Sequence, residues 1–135
     1  MGATKEIPMI DRHTTGMSVR RRVLGDAHVD RAEAQKSAFD APFQEMITET
    51  AWGTLWANDT ITLRERSMIT LALLAATRSF DEIPMHLKAC ANTGTSKEDV
   101  MQAFMHAAVY AGVPCANHAV KLAKQTYAEM EGETE

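Results

Sequence analysis

The segment Thr62 to Ala76 constrains the fold more than any other stretch of this 135-residue chain. Thr62-Leu63-Arg64-Glu65 fits a capping box: the Thr side chain accepts from the first helical amides, and the Glu three residues on reaches back to the cap. Ser67 to Ala76 then runs apolar on nearly every side, which predicts a central helix surrounded by others. No alternating apolar and polar stretch competes with it. The expected fold is therefore all-α, a compact multi-helix bundle of about six helices.

The rest of the chain divides by its helix signals. Arg12 to Leu24 predicts a short helix stopped by Gly25, with residues 1–10 before it a loose leader. Gly25 to Asp30 is expected to be a loop. From Asp30 a second helical pattern begins, interrupted or restarted at Pro42. Its predicted core face is Phe39, Phe43, Met46, Ile47 and Ala51, which recur at three- and four-residue steps. Trp52 and Trp56 lead into a polar connector, as anchors of a core or a subunit interface, or as part of a ligand wall. A further helix should start near Asp81 to Pro84 and end before Gly94, placing His86 and Cys90 one turn apart. Another begins at Thr95 or Ser96, with Val100, Phe104, Ala107, Ala108 and Ala111 as its buried stripe. The last follows Pro114, on Ala116, Ala119, Val120, Ala123 and Tyr127, before an acidic tail from Glu129 frays, residues 131–135 being loose.

A chain this long forms one domain, 1–135, with a real core, and oligomerisation can cover what apolar surface is left. Its 45% hydrophobic and 24% charged residues are the balance of a soluble globular protein. A net charge of −4 argues against nucleic acid as a partner. No stretch is apolar for long enough to span a bilayer, and no signal-peptide order opens the chain, so a cytoplasmic location is expected and no membrane partner. Cys90 and Cys115 lie far apart, without Cys-x-x-Cys or metal-ligand spacing, and are expected to be reduced and semi-buried.

His86 is the residue on which chemistry would turn. It stands where an Ala- and Leu-rich pattern becomes polar, and an imidazole beside arginine and carboxylates suits acid-base work near neutral pH. A packed or capping histidine fits the same position. Arg20-Arg21-Arg22, answered by Asp26 and Asp30, is either a solvated helix face or a carboxylate-binding edge. Arg64, Arg66 and Arg78 fall at the two ends of the central helix. His86, His106 and His118 make no metal set, because no His pair is four apart and no Glu-x-x-His repeat occurs. His13 and His28 sit in charged, loop-like contexts, at the edge of a site or with no role. No Gly-rich phosphate loop appears, so no cofactor motif is read.

Several strings, in order over nearly the whole chain, resemble the gamma-carboxymuconolactone decarboxylase family. They are Val19-Arg20-Arg21-Arg22-Val23-Leu24-Gly25-Asp26-Ala27-His28-Val29-Asp30-Arg31, Phe43-Gln44 through Ala51-Trp52-Gly53, Arg66-Ser67 through Leu71-Ala72, Met85-His86-Leu87-Lys88-Ala89 and Tyr110-Ala111-Gly112-Val113-Pro114. The resemblance implies an alkylhydroperoxidase D-like helical fold in a ring-like homohexamer, a trimer of dimers, with neither metal nor organic cofactor. It also implies decarboxylation of gamma-carboxymuconolactone to beta-ketoadipate enol-lactone in protocatechuate breakdown. The superfamily's thiol peroxidases carry Cys-x-x-Cys shortly before the shared His; Ser79 and Glu82 stand there instead. The family's Arg-Pro-Gly-Leu connector is also missing after Trp56.

Loss of carbon dioxide from such a lactone leaves the protein to hold two carboxylates, stabilise an oxyanion and deliver a proton. His86 is the expected proton donor. Arg20, Arg21, Arg64, Arg66 and Arg78 are candidates for the carboxylates, since the planar guanidinium pairs with them in a bidentate way. His28 and Trp52 are candidates for the pocket edge and wall. A lactone-processing hydrolase, a thiol-dependent reductase using Cys90 or Cys115, and a non-catalytic assembly protein are the alternatives.

Overall fold

The computed structural model describes residues 11–133, and among these there is no β-strand. Seven α-helices follow one another: α1 (Arg12–Leu24), α2 (Asp26–Gln35), α3 (Ala41–Ile47), α4 (Leu63–Ala76), α5 (Ile83–Thr93), α6 (Lys97–Ala111) and α7 (Val113–Glu133). A π-helix, Thr48–Trp56, continues α3 without a break, and a 3-10 turn, Phe80–Glu82, leads into α5. The leader expected over residues 1–10 and the last two residues of the expected loose tail lie outside the described residues.

Local chemistry sets these boundaries. The Asp11 carboxylate accepts the Thr14 amide at 3.1 Å and opens α1. At the start of α4, Thr62 Oγ1 accepts the Glu65 amide at 3.1 Å while Glu65 Oε1 accepts the Thr62 amide at 2.9 Å, the expected capping box. Of the two starts expected for α6, Ser96 is the cap, in a capping box with Asp99. Asp99 also takes both arms of Arg64, at 2.8 and 2.6 Å, so the first turns of α4 and α6 are tied together. That guanidinium and the capping amide hold the Asp99 carboxyl well below the usual carboxylate range.

The main core gathers Leu71, Ala75, Ile83, Leu87, Val100, Phe104, Ala119 and Ala123 from α4 to α7. A second cluster joins Val23, Trp52, Trp56 and Ala89 where α1 meets the π-helix and α5. Gly16 and Gly53 make that meeting possible: a methyl group on Gly16 would collide with the Thr48 carbonyl, and one on Gly53 with the Arg12 carbonyl. The two helices therefore cross backbone against backbone.

Several expectations need correction. Gly25–Asp30 is not a loop: Gly25, at φ +90°, turns the chain and α2 starts at once, with Asp26 favourably placed at its positive end. The core face expected at Phe39, Phe43 and Met46 does not form: Phe39 lies in the turn before α3 and is 95% exposed, Phe43 and Met46 are half-exposed, and the wider π turn buries Thr48, Trp52 and Trp56 instead. The α4 helix is not surrounded, for Ile69 and Leu73 are exposed. Ala111 is exposed as well, and α7 continues to Glu133 through the start of the acidic tail that was expected to fray.

Candidate active site

Between α1, α2, the π-helix and α5 lies a cavity of about 420 Å³. Arg20 and Leu24 of α1, His28 of α2, Trp52 and Trp56 of the π-helix, and Met85 and His86 of α5 line it, with Phe43 and Gln44 on the α3 side and Glu82 from the 3-10 turn. The π-helix explains the aromatic wall. In an α-helix residues four apart drift about 40° per step. The wider turn brings Thr48, Trp52 and Trp56 closer to one line, and all three are buried. The tryptophan rings lie 5.1 Å apart by centroid.

His86 projects from the first turns of α5, with its ring stacked against Trp56 at 6.4 Å between centroids. Its Nδ1 is buried and has no hydrogen-bond partner. By elimination Nε2 is the nitrogen open to the cavity. Burial, and next the charge of His28, push the imidazole pKa down. The free site therefore favours a neutral ring.

Arg20 is buried and donates to Glu33 Oε1 at 3.2 Å, while Lys36 holds the other oxygen of Glu33 at 2.8 Å. One donor of the fork is thus occupied, and the others remain for a ligand. His28 is partly buried. Burial lowers its pKa first, then Arg20 and Arg31; Glu82 opposes them.

Of the residues singled out in the sequence, the fold brings together His86, Arg20, His28 and Trp52. It leaves the other arginines outside the cavity lining. Arg21 pairs with Asp26 and Asp30 at 3.1 and 2.9 Å, and Arg64 with Asp99. Arg66 donates to the Asn58 carbonyl at 2.9 Å, and Arg78 is exposed beyond α4 at φ +59°. His106 stacks on Tyr110 and His118 on Phe80. Trp56 joins the site as the ligand wall that was one reading of the tryptophan pair, and Gln44 and Glu82 join it without having been singled out for it. The four-residue step from Glu82 to His86 was the available signal. Cys90, one turn beyond His86, faces the core; burial pushes its thiol up to about 11.

A helical bundle in which imidazole and guanidinium face one partly enclosed, aromatic-walled cavity is the build of an enzyme for a small anionic molecule. Residues 41–125 match the carboxymuconolactone decarboxylase family. The chain belongs to that family, and it is a decarboxylase, a carboxy-lyase. The 4-carboxymuconolactone decarboxylase of Acinetobacter baylyi is 35% identical over 119 residues, 88% of this chain and 89% of its own length. The nitrosuccinic acid decarboxylase of Metarhizium robertsii is 35% identical over 115 residues, 85% of this chain and 80% of its own. A Pseudomonas putida 4-carboxymuconolactone decarboxylase is 57% identical over 42 residues, 31% of this chain.

Proposed function

We propose that this enzyme decarboxylates gamma-carboxymuconolactone to beta-ketoadipate enol-lactone, a step of protocatechuate breakdown. The observation that carries the proposal is His86, a half-buried imidazole with one nitrogen sealed off and the other open to a cavity that it shares with Arg20 and His28.

The substrate is its own electron sink. The bond to the leaving carboxylate breaks, and its electron pair passes through the ring double bond to the lactone carbonyl oxygen, giving a dienolate. Carbon dioxide departs, and a proton from His86 forms the new C–H bond at the carbon α to that carbonyl. Arg20, and His28 when protonated, oppose the two carboxylates. Trp52, Trp56 and Met85 keep the reacting carbon in apolar surroundings, where charge is poorly solvated. Burial keeps the free His86 neutral, and the negative charge of an entering dicarboxylate draws a proton onto it.

Similarity to the nitrosuccinic acid decarboxylase supports a second substrate of the same chemistry. In nitrosuccinate the electron pair passes to the nitro oxygens, and the resulting nitronate is protonated on carbon. Both acids pair two carboxylates with a built-in sink. The exposed apolar side chains Ile69, Leu73, Met105 and Val109 support assembly into the homohexamer, acting in the cytoplasm as one domain.

Purified protein should release carbon dioxide from freshly generated gamma-carboxymuconolactone, giving a product lighter by one carbon dioxide. A product heavier by one water would mean a hydrolase instead. Faster turnover of nitrosuccinate than of the lactone would reassign the physiological substrate.

A further inference from the structure

Each decarboxylation consumes one proton, because a carboxylate leaves as neutral carbon dioxide and a C–H bond replaces it. The Nδ1 side of His86 is sealed off, so the proton reaches the ring through the cavity. Glu82 lines the cavity from the 3-10 turn. It is exposed, and it is the only carboxylate lining the cavity among the described residues. A carboxylate there opposes the binding of a dicarboxylate, and it must offset that cost by something else. His28 lines the same cavity from α2 and is less buried than His86.

We propose that Glu82 and His28 form the port through which the proton consumed in each turnover reaches His86. This rests on the decarboxylase reaction above. The charged groups around His28 are Arg20 from α1, Arg31 on its own helix, Glu82 from the 3-10 turn and His86 from α5. Of these, Glu82 alone favours a proton on His28. The two imidazoles repel each other when both are charged, so a proton on one disfavours a proton on the other.

A proton that enters the free site is held on His28 in preference to His86, because His28 is the less buried of the two and shares the cavity lining with Glu82. Desolvation disfavours the charge more on His86, where the proton arrives at Nε2, the nitrogen that is not sealed off. The negative charge of the entering dicarboxylate favours transfer to His86, which gives the proton to carbon once the dienolate has formed, and His28 is reloaded from solvent. His28 passes on a proton, and Glu82 is a positioning residue that acts through it.

Glu82→Gln separates these roles from a structural one. Removing the carboxylate lowers the protonated fraction of His28 in the neutral to alkaline range. We therefore expect kcat to fall about 10-fold near pH ~8 and to recover toward wild type near pH ~6, with KM no higher. Glu82→Asp should restore part of the lost alkaline activity. A kcat reduced by one factor at every pH, or a raised KM with unchanged kcat, overturns the port. A second readout is independent of turnover: imidazole NMR titration should show a lower His28 pKa in Glu82→Gln than in wild type, and an unchanged value also overturns the proposal. Wild-type protein that releases no carbon dioxide from either acid, while His28 still responds to Glu82, overturns the reaction and not the pairing.

Discussion

The two faces of α5 are built on opposite principles although they are only a residue apart. Ile83, Leu87 and Cys90 point into the main core, where Leu87 is fully buried and the nearby hydroxyls of Ser67, Thr93 and Thr95 satisfy one another in a chain of 2.8 Å contacts. Met85 and His86 point into the cavity, where a buried ring nitrogen has no partner. One face is closed and satisfied, as core packing requires. The other leaves a polar atom unsatisfied, which lowers stability, and presents the second ring nitrogen to the cavity. Stability and chemistry are therefore separable along one helix.

Adjacent alanine substitutions test that separation most severely. His86→Ala should lower kcat about 10²- to 10⁴-fold, the range lost with a general acid. Its urea-unfolding stability should stay within about 1 kcal/mol of wild type, since the ring nitrogens make no hydrogen bond to lose. Leu87→Ala should do the reverse, costing about 2–5 kcal/mol by cavity formation while kcat per folded molecule survives. If both variants lose stability and activity together, the two faces are not independent.

What the sequence revealed follows the same division. Features that act over one helical turn were readable: the Thr62 capping box, the Gly25 stop of α1, the start of α5 at Pro84 and the polar change at His86. Features that depend on how helices cross were not. Phe39 and Phe43 satisfied an α-helical period, but the chain widens into a π-helix that buries Trp52 and Trp56 instead. Arg64 had the right chemistry for a carboxylate and found one in Asp99, 35 residues away, so it is not in the cavity lining. Arg20 differs from Arg21 by a rotation of one residue along α1, which decides between cavity and solvent. No local pattern distinguishes them.

Gly16→Ala probes the crossing directly. The added methyl would meet the Thr48 carbonyl, a backbone atom that cannot rotate away, so α1 and the π-helix must separate. Overpacking of this kind costs about 1–3 kcal/mol. It also moves Arg20 relative to Trp52 and His86, so kcat/KM should fall along with stability, unlike in Leu87→Ala. Loss of stability with unchanged kcat/KM would mean that the cavity does not depend on the crossing.

The smallest effect is expected at Cys90, the residue that joins the two faces chemically. Its thiol donates to the His86 carbonyl oxygen at 3.2 Å, yet its side chain lies in the core. Burial is the main cause of its raised pKa, with the Thr95 and Ser67 hydroxyls pulling the other way. With that pKa at about 11, the group stays a thiol throughout the neutral range and lacks the thiolate that nucleophilic chemistry requires. A serine hydroxyl can make the same donation to the His86 carbonyl and extend the Ser67, Thr93 and Thr95 chain. Cys90→Ser should therefore leave kcat/KM within about 2-fold, with the pH profile unmoved, as for a substitution away from the reacting atoms. Abolished turnover would restore the thiol-dependent alternative. A shifted pH profile at full activity would instead show that the satisfied face of α5 tunes the unsatisfied one through the His86 backbone.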